Sequence, residues 1–360
     1  MKRVFISDCE GPISKNDNAF ELTASFVPNG DRLFSLISKY DDVLADILKK
    51  PGYNPGDTLK LVLPFLKAFD VTDKQMRVFS AKNLVLIADS KESLKYIRNR
   101  SDAFIVSTSY EHYIQALSEA LEFPFENTFC TRVALDKYDI SEGERLELKE
   151  IAKEISQKPM ITVPDSARSM LDFSEQDRET VRELDKVFWN DIMSMNVGRI
   201  FADVTPVGGK QKAEAVKAAV ERARMELADV AYVGDSITDV EAFKLVRESG
   251  GLTVSFNGNS YAVKNADVAV QSESNLVTAA IADLFFKSEK KQTIKALGSW
   301  NYETLNKNKV DEALLKQLCT IDHGTLPKVQ IVSAKNMESI IKESSEFRKK
   351  VRGLEVGRLG

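Results

Sequence analysis

Two acidic residues follow directly after a short apolar run near the start of the chain. Residues 4–7 ("VFIS") lead into Asp8, Glu10 comes two residues later, and Gly11 and Pro12 then interrupt the strand pattern. A Gly-Pro turn at this point can aim Glu10 at the same space as Asp8. A carboxylate can act as a nucleophile or hold a hard cation, and a second carboxyl can transfer a proton. This pair therefore indicates nucleophilic and acid–base chemistry at a strand end.

A second acidic pair follows another apolar run. "AYVG" ends at Gly234, Asp235 comes next, and Asp239 lies one helical turn further on. Carboxylate oxygens are the ligands that Mg²⁺ prefers in proteins. We therefore expect Asp8 and Asp235 to hold Mg²⁺, which would screen the charge of a phosphate group.

Donors for a phosphate group are also available. Ser107 and Thr108 end the apolar run "FIV", and Lys210 and Lys212 open a strongly helical segment. Hydroxyl, amide and ammonium groups can bind phosphate oxygens as charge develops during transfer. Together with the acidic pairs, this inventory suits phosphoryl transfer.

The elements that would position these residues alternate between strand and helix patterns from residue 84 to residue 285. The predicted strands are rich in Val and Ile and include "DAFIVSTSY", "NTFCTRVAL", "DVAYVGDSITD", "GGLTVSFNGN" and "ADVAVQS". This alternation predicts an α/β fold with a Rossmann-like parallel sheet covered by helices on both faces. Parallel strands end at one edge of a sheet, so the polar clusters that follow them are expected to meet there.

The ordered set of motifs resembles the haloacid dehalogenase (HAD) superfamily of phosphohydrolases, with a phosphoserine-phosphatase-like core. The matching stretches are "FISDCEGPIS", "FIVSTSY", "GGKQKAEAV" and "VGDSITDVEAF", and the resemblance covers residues 3–15 and 84–285. It implies a Mg²⁺-dependent phosphoric monoester hydrolase that works through an aspartyl-phosphate.

The resemblance also implies roles for the acidic residues. Asp8 would be the nucleophile, and Glu10 would be the general acid/base and lend its backbone carbonyl to Mg²⁺. Asp235 would bind the metal directly, and Asp239 would complete its outer shell.

For the remaining positions, the resemblance implies phosphate binding by Ser107 and by the amide of Thr108. Lys212 would hold nucleophile and phosphate together. It is preferred to Lys210 because "KAEAV" is similar to the Lys-Gly-x-x-Leu helix start of the phosphoserine phosphatase branch.

Two positions depart from the family pattern. Glu10 stands where the family usually has Asp, as it also does in the enolase-phosphatase branch, and Pro12 replaces the usual Thr. The sequence "DCEGP" with long insertions resembles an uncharacterised archaeal branch of HAD-like proteins, some of which are catalogued beside hydrogenase subunits.

Four regions are predicted from these patterns. They are a core of residues 1–15, 84–142 and 204–285, a helical cap of residues 16–83, a second helical insertion of residues 143–203, and a helical C-terminal extension of residues 286–360.

The charge and the apolar pattern of the sequence limit the kinds of molecule that the protein is expected to bind. The 360 residues carry a net charge of −4 with both signs interspersed, which argues against a nucleic-acid partner. The sequence has no apolar run long enough for a membrane span and no signal-peptide pattern, so a cytoplasmic location is expected. The expected partner is a small phosphorylated metabolite, and monomer and homodimer both remain open.

Two alternatives to a phosphatase are kept. One is a non-catalytic accessory or binding protein with a HAD fold, for which the archaeal branch suggests an association with hydrogenase. The other is a GDS-type esterase that uses Ser236 of "GDSIT" as its nucleophile, although the late "TIDHG" lacks the Asp-x-x-His spacing of that class.

Overall fold

The computed structural model describes residues 2–164, 167–321 and 326–358. Among these residues, seven strands form one sheet in the order β3-β2-β1-β4-β5-β6-β7, and every neighbouring pair is parallel except β6 and β7. The strands are β1 (Val4–Ser7), β2 (Asp102–Tyr110), β3 (Thr128–Thr131), β4 (Val230–Gly234), β5 (Leu252–Phe256), β6 (Val268–Gln271) and β7 (Lys328–Ile331). The predicted α/β class with a parallel sheet is confirmed.

Strand β1 shows why the sheet is covered on both faces. Val4 and Ile6 pack into a hydrophobic cluster with helices on one face, and Phe5 packs into the cluster on the other. Successive side chains of a strand point to opposite faces, so a strand that is apolar at every position must be buried on both.

The helices are numbered in chain order. Those before β4 are α1 (Asn18–Phe26), α2 (Gly30–Asp42), α3 (Thr58–Ala68), α4 (Asp73–Asn83), α5 (Ser90–Arg98), α6 (Glu111–Leu121), α7 (Glu142–Gln157), α8 (Glu175–Lys186), α9 (Ile200–Asp203) and α10 (Lys210–Ala223). Those after β4 are α11 (Val240–Glu248), α12 (Ser260–Asn265), α13 (Leu276–Lys287), α14 (Lys290–Leu297), α15 (Tyr302–Lys307), α16 (Glu312–Ile321) and α17 (Met337–Arg352). Within the described parts of the chain, none of the helices combines the length and apolar character that crossing a bilayer requires.

The two insertions share one hydrophobic core. A single buried cluster contains side chains from residues 19–76 and from residues 133–204. At its centre, Phe188 stacks on Tyr40 with ring centroids 5.8 Å apart and meets Phe65 edge-on at 6.2 Å. The Trp189 indole N–H donates a hydrogen bond to the Tyr40 hydroxyl. The second insertion therefore supports the cap, and the two segments pack as one helical layer.

The C-terminal segment is more than the helical extension predicted for residues 286–360. It contributes β7, which pairs antiparallel with β6 from Val268↔Ile331 to Gln271↔Lys328. A helical reading of this segment is therefore wrong at these four residues. The strand brings the chain back along the sheet before α17 begins.

Replacing Phe188 with Ala should lower the free energy of unfolding by about 3–5 kcal/mol, because the side chain is fully buried between the two insertions. Urea denaturation followed by circular dichroism measures the change. Leu171→Ala is the control, since Leu171 is 84% exposed in the same insertion. A loss for Phe188→Ala no larger than that of the control would show that the insertions do not share a core.

Candidate active site

The carboxyl ends of three adjacent strands bring the predicted site residues together. Ser7 of β1 lies opposite Ile105 of β2 and Val233 of β4, so the residues that follow these positions lie side by side. The Asp8 backbone N–H donates to the Val233 carbonyl at 2.8 Å and extends the pairing by one residue. The parallel register thus explains why polar residues far apart in sequence converge.

Lys212 is buried between two carboxylates. Its Nζ lies 2.6 Å from Asp8 Oδ2 and 2.7 Å from Asp239 Oδ1, and the lysine side chain is 0% exposed. Burial alone lowers the pKa of Lys212, but the two carboxylates outweigh it and raise the pKa above the usual value. The ammonium therefore stays charged. Lys210, two residues earlier on α10, is exposed, so Lys212 is the lysine that the structure places beside Asp8.

Asp239 is held by four donors. Its Oδ1 accepts from Lys212 and from the Tyr232 hydroxyl at 2.7 Å, and its Oδ2 accepts from the backbone N–H groups of Asp235 and Ser236 at 2.9 and 3.1 Å. This carboxylate anchors the lysine and shapes the loop after β4. Because both oxygens of Asp239 already accept two hydrogen bonds, Asp239 is better suited to hold Lys212 and the loop in place than to bind a metal ion directly.

Asp235 packs directly over the turn after β1. A Cβ at Gly11 would lie 2.0 Å from Asp235 Oδ2, and Gly11 has a φ of +105°. Only glycine meets both demands, since a side chain would be strained and would strike the carboxylate. This close approach accounts for the glycine at position 11.

The acidic residues have the donor chemistry of a magnesium site. One carboxylate oxygen each from Asp8, Asp235 and Asp239 lies within 4.8 Å of the others, and all three residues are buried. Burial raises the pKa of Asp8 to about 8. The charge of Lys212 lowers this pKa, but burial together with the charges of Asp239 and Asp235 outweighs that effect. Mg²⁺ prefers hard oxygen ligands such as these carboxylates, so Asp8 and Asp235 could hold the ion.

Glu10 faces the first helix of the cap. Its Oε1 accepts a hydrogen bond from the Asn18 backbone N–H at 2.7 Å. Burial, followed by the charge of Asp17, raises the pKa of Glu10 well above its usual value. The carboxyl is therefore suited to carry a proton near neutral pH.

Ser107 and Thr108, near the end of β2, are the predicted phosphate-binding residues. The Ser107 hydroxyl donates to Ser109 Oγ at 3.0 Å, and the Thr108 hydroxyl donates to the Val207 carbonyl at 3.0 Å. Both residues line the same cavity as Asp8.

That cavity measures about 100 Å³ and has three walls. The core supplies the sheet edge, helices α2 and α3 of the cap together with Asp17 supply the roof, and α17 supplies one side. The charged residues in the lining are Asp8, Glu10, Asp17, Asp41, Asp42, Asp235, Arg348 and Arg352. Six carboxylates and two guanidinium groups leave the cavity with an acidic excess, which favours occupation by a cation.

A glycine loop of the cap closes against the core. Gly56 has a φ of +93°, and a Cβ there would lie 2.8 Å from the Thr108 methyl group. A Cβ at Gly208 would lie 2.1 Å from the Pro55 carbonyl. The cap and the core therefore touch backbone to backbone beside the phosphate-binding candidates, which keeps the cavity small.

Sequence reasoning missed Arg348 and Arg352. Both lie on α17 and contact Asp235. Their segment, "EFRKKVR", has the mixed charge of a solvated helix, and its spacing alone does not separate buried arginines from exposed lysines.

Among the described residues, no hydrogen bond joins Ser236 to a histidine that could serve as an esterase base. Its hydroxyl shares a hydrogen bond with Thr238 Oγ1 at 3.0 Å. His112 Nε2 lies 3.0 Å from Asp73 Oδ1 instead, and His323 lies outside the described residues.

Comparison with known proteins assigns the family. The model of the haloacid dehalogenase-like hydrolases matches residues 91–283, more than half of the chain. The chain therefore belongs to the haloacid dehalogenase-like hydrolases, as its sequence motifs led us to expect.

Three individual proteins are similar to this chain at 30% sequence identity or less. Gene product AF1437 from Archaeoglobus fulgidus superposes with a TM-score of 0.80 at 27% identity, over 100% of this chain and 99% of that one. Substrate-bound phosphoserine phosphatase gives a TM-score of 0.46 at 15% identity, over 76% of this chain and 95% of that one. Chaperone protein ClpB3 of Arabidopsis thaliana chloroplasts is 30% identical over 140 residues, which span 37% of this chain and only 14% of that protein.

Replacing Lys212 with Met should lower the free energy of unfolding by about 3–5 kcal/mol near neutral pH, because Asp8 and Asp239 would lose their shared buried cation. The loss should be smaller near about pH 5 than near about pH 9. In the wild type, the folded state raises the pKa of Asp8 from 3.8 to about 8, so the stability that this shift contributes is fully present below pH 3.8 and is lost as the pH rises through 8. Near about pH 9 the Asp8 carboxyl is ionised and depends on the Lys212 ammonium, whereas near about pH 5 it is protonated, so removal of the lysine costs more at the higher pH.

Urea denaturation across this pH range measures the effect. Lys210→Met removes an exposed lysine from the same helix and should change stability by less than about 0.5 kcal/mol. Equal losses in the two variants would contradict the buried network.

Proposed function

We propose that the protein is a Mg²⁺-dependent phosphatase that hydrolyses a small-molecule phosphate monoester through an aspartyl-phosphate. One observation carries the proposal. Asp8 lines a small cavity, is paired with a buried lysine and is clustered with Asp235. A nucleophilic carboxylate, a fixed cation and metal-binding oxygens are the groups that this reaction needs at one point.

In the first step, a carboxylate oxygen of Asp8 attacks phosphorus, and the bond to the leaving oxygen breaks. Lys212 fixes the Asp8 side chain through the 2.6 Å contact, while the Ser107 hydroxyl and the Thr108 amide bind phosphate oxygens. A magnesium ion held by Asp8, the Glu10 carbonyl and Asp235 would favour ionised Asp8 and offset the phosphate charge.

Glu10 moves the proton in both steps. Its raised pKa favours the protonated carboxyl, which donates its proton to the leaving oxygen. The resulting carboxylate takes a proton from the water that attacks the aspartyl-phosphate. Inorganic phosphate then leaves, and Asp8 is restored.

The cavity size supports a small substrate. A volume of about 100 Å³ accommodates a phosphate group with a short organic portion, and with α2 and α3 lining one wall it leaves no room for a large polymer. A small phosphorylated metabolite is therefore the proposed partner.

The second candidate is a HAD-fold accessory protein without turnover. The contacts of Arg348 and Arg352 with Asp235 favour it, because they engage a proposed metal ligand. A measurement of Mg²⁺-dependent phosphate release distinguishes the phosphatase from the accessory protein.

Asp8→Asn should lower Mg²⁺-dependent phosphate release from p-nitrophenyl phosphate and from a panel of phosphorylated metabolites by more than roughly a hundredfold, because an amide is a poor nucleophile. A colorimetric phosphate assay measures turnover, and circular dichroism checks the fold. Asp102→Asn is the control, because this carboxylate is 43% exposed at the start of β2.

Turnover of Asp8→Asn above roughly a hundredth of wild type would mean that another residue is the nucleophile. If the wild-type protein itself released no phosphate from any compound with Mg²⁺ present, the accessory role would replace the phosphatase.

A further inference from the structure

Helix α17 lies against the catalytic edge of the sheet, although it comes from outside residues 91–283, which match the family. Ser344, Arg348 and Arg352 follow one another at intervals of four residues and therefore share one face of the helix. The Ser344 hydroxyl donates to the Gly258 carbonyl at 2.6 Å, in the loop after β5. This contact fixes the helix so that the two arginines reach the loops after β4 and β1.

Both arginines meet the same carboxylate oxygen. Arg348 Nη1 forms a short ion pair with Asp235 Oδ2, and Arg352 Nη1 lies 3.2 Å from that oxygen. Arg352 also donates through Nε to the Lys15 carbonyl at 3.0 Å and through Nη2 to the Asn16 carbonyl. The side chains of Arg348 and Arg352 are only 3% and 4% exposed, so these are interior contacts.

A divalent cation on Asp235 would conflict with this arrangement. Magnesium needs its carboxylate ligand at about 2.1 Å in strict geometry. Two guanidinium groups on one oxygen of the same carboxylate would repel the ion, and water screens such repulsion weakly in a buried site. Because Asp235 Oδ2 also rests against Gly11, the carboxylate has little room to turn away from both.

We propose that Arg348 and Arg352 are positioning residues that hold Asp235 as an internal counter-charge, which a divalent cation must displace. Helix α17 thereby sets the metal affinity of the active site. The inference rests on the proposed function, since it takes Asp235 as a metal ligand. By linkage, an arginine pair that weakens metal binding is itself loosened by metal to the same extent.

A merely structural role for α17 makes the opposite prediction. If the arginines only anchored the helix, removing them would disorder one wall of the cavity and weaken metal binding. If they compete with the ion, removing their charge should strengthen metal binding even though the protein becomes less stable.

The test is isothermal titration of the full-length protein with Mn²⁺, which measures binding without turnover. Arg348→Gln/Arg352→Gln should lower the dissociation constant at least about tenfold, because two unit charges close to the ion disappear. Arg348→Lys/Arg352→Lys keeps the charges and should stay near wild type. Lys342→Gln/Lys350→Gln removes two charges from the exposed face of α17 and should change the constant less than about twofold.

Hydrogen exchange supplies a second readout. Saturating Mg²⁺ should speed amide exchange across residues 344–351 of the wild-type protein, because the ion releases the arginines. If the double Gln variant does not fold, Arg352→Gln is tested alone, because Arg348 then keeps its shorter contact with Asp235 and holds α17 in place. The loss of one positive charge beside Asp235 should still tighten Mn²⁺ binding.

The outcomes separate this inference from the proposed function. If wild type binds Mn²⁺ and the Gln variants bind it no more tightly, the competition is refuted and the phosphatase proposal stands. If neither wild type nor the Gln variants bind a divalent cation, both proposals fail. Tighter binding in the Gln variants together with loosening of α17 by Mg²⁺ supports the exchange.

Discussion

A buried lysine between two carboxylates is the interaction on which the rest of the site depends. An ammonium group out of contact with water is costly unless it is paired, so Lys212 requires both Asp8 and Asp239. Asp239 in turn accepts from Tyr232 and from two amides of the loop after β4. The proposed nucleophile, the lysine and the loop that carries Asp235 are therefore one connected network, and a change at any member reaches the others.

Negative charge is the second constraint. Burial raises the pKa of Asp8 to about 8 and the pKa of Asp41 to about 7, which shows how costly ionised carboxyls are here. Cations can relieve this cost, and the chain supplies two of them from α17. In the proposed competition, the arginines and a divalent ion are alternative counter-charges for the same carboxylate, Asp235. Protein stability and metal affinity would then oppose each other at one residue.

The sequence predicts the parts of this molecule that local pattern determines. Apolar runs that end in polar residues locate β1, β2 and β4, and the parallel arrangement then brings Asp8, Ser107 and Asp235 to one edge. The roles of these residues in catalysis stay predictions. The preference for Lys212 over Lys210 came from the resemblance, and the buried ion pairs now give it a physical basis.

The features that could not be predicted from the sequence all depend on contacts between residues that are far apart in the chain. Strand β7 is only four residues long at the sheet edge, and its pairing with β6 is not encoded by any periodicity. The shared core of the two insertions depends on Phe188 meeting Tyr40 across 148 positions of sequence. Arg348 and its neighbour Lys349 are both basic residues, and the sequence alone does not show which of them is buried. Only the packing of α17 against the core makes Arg348 an interior cation.

The central claim is that Asp8 carries the phosphoryl group during turnover. The most direct measurement is peptide mass mapping of acid-quenched Glu10→Gln enzyme after reaction with an activated aryl phosphate, whose leaving group needs no proton. If Asp8 is the nucleophile, the phosphoryl group lies on Asp8, within the tryptic peptide of residues 4–15. A phosphoryl group on Ser107, or continued turnover with no labelled residue, would contradict it.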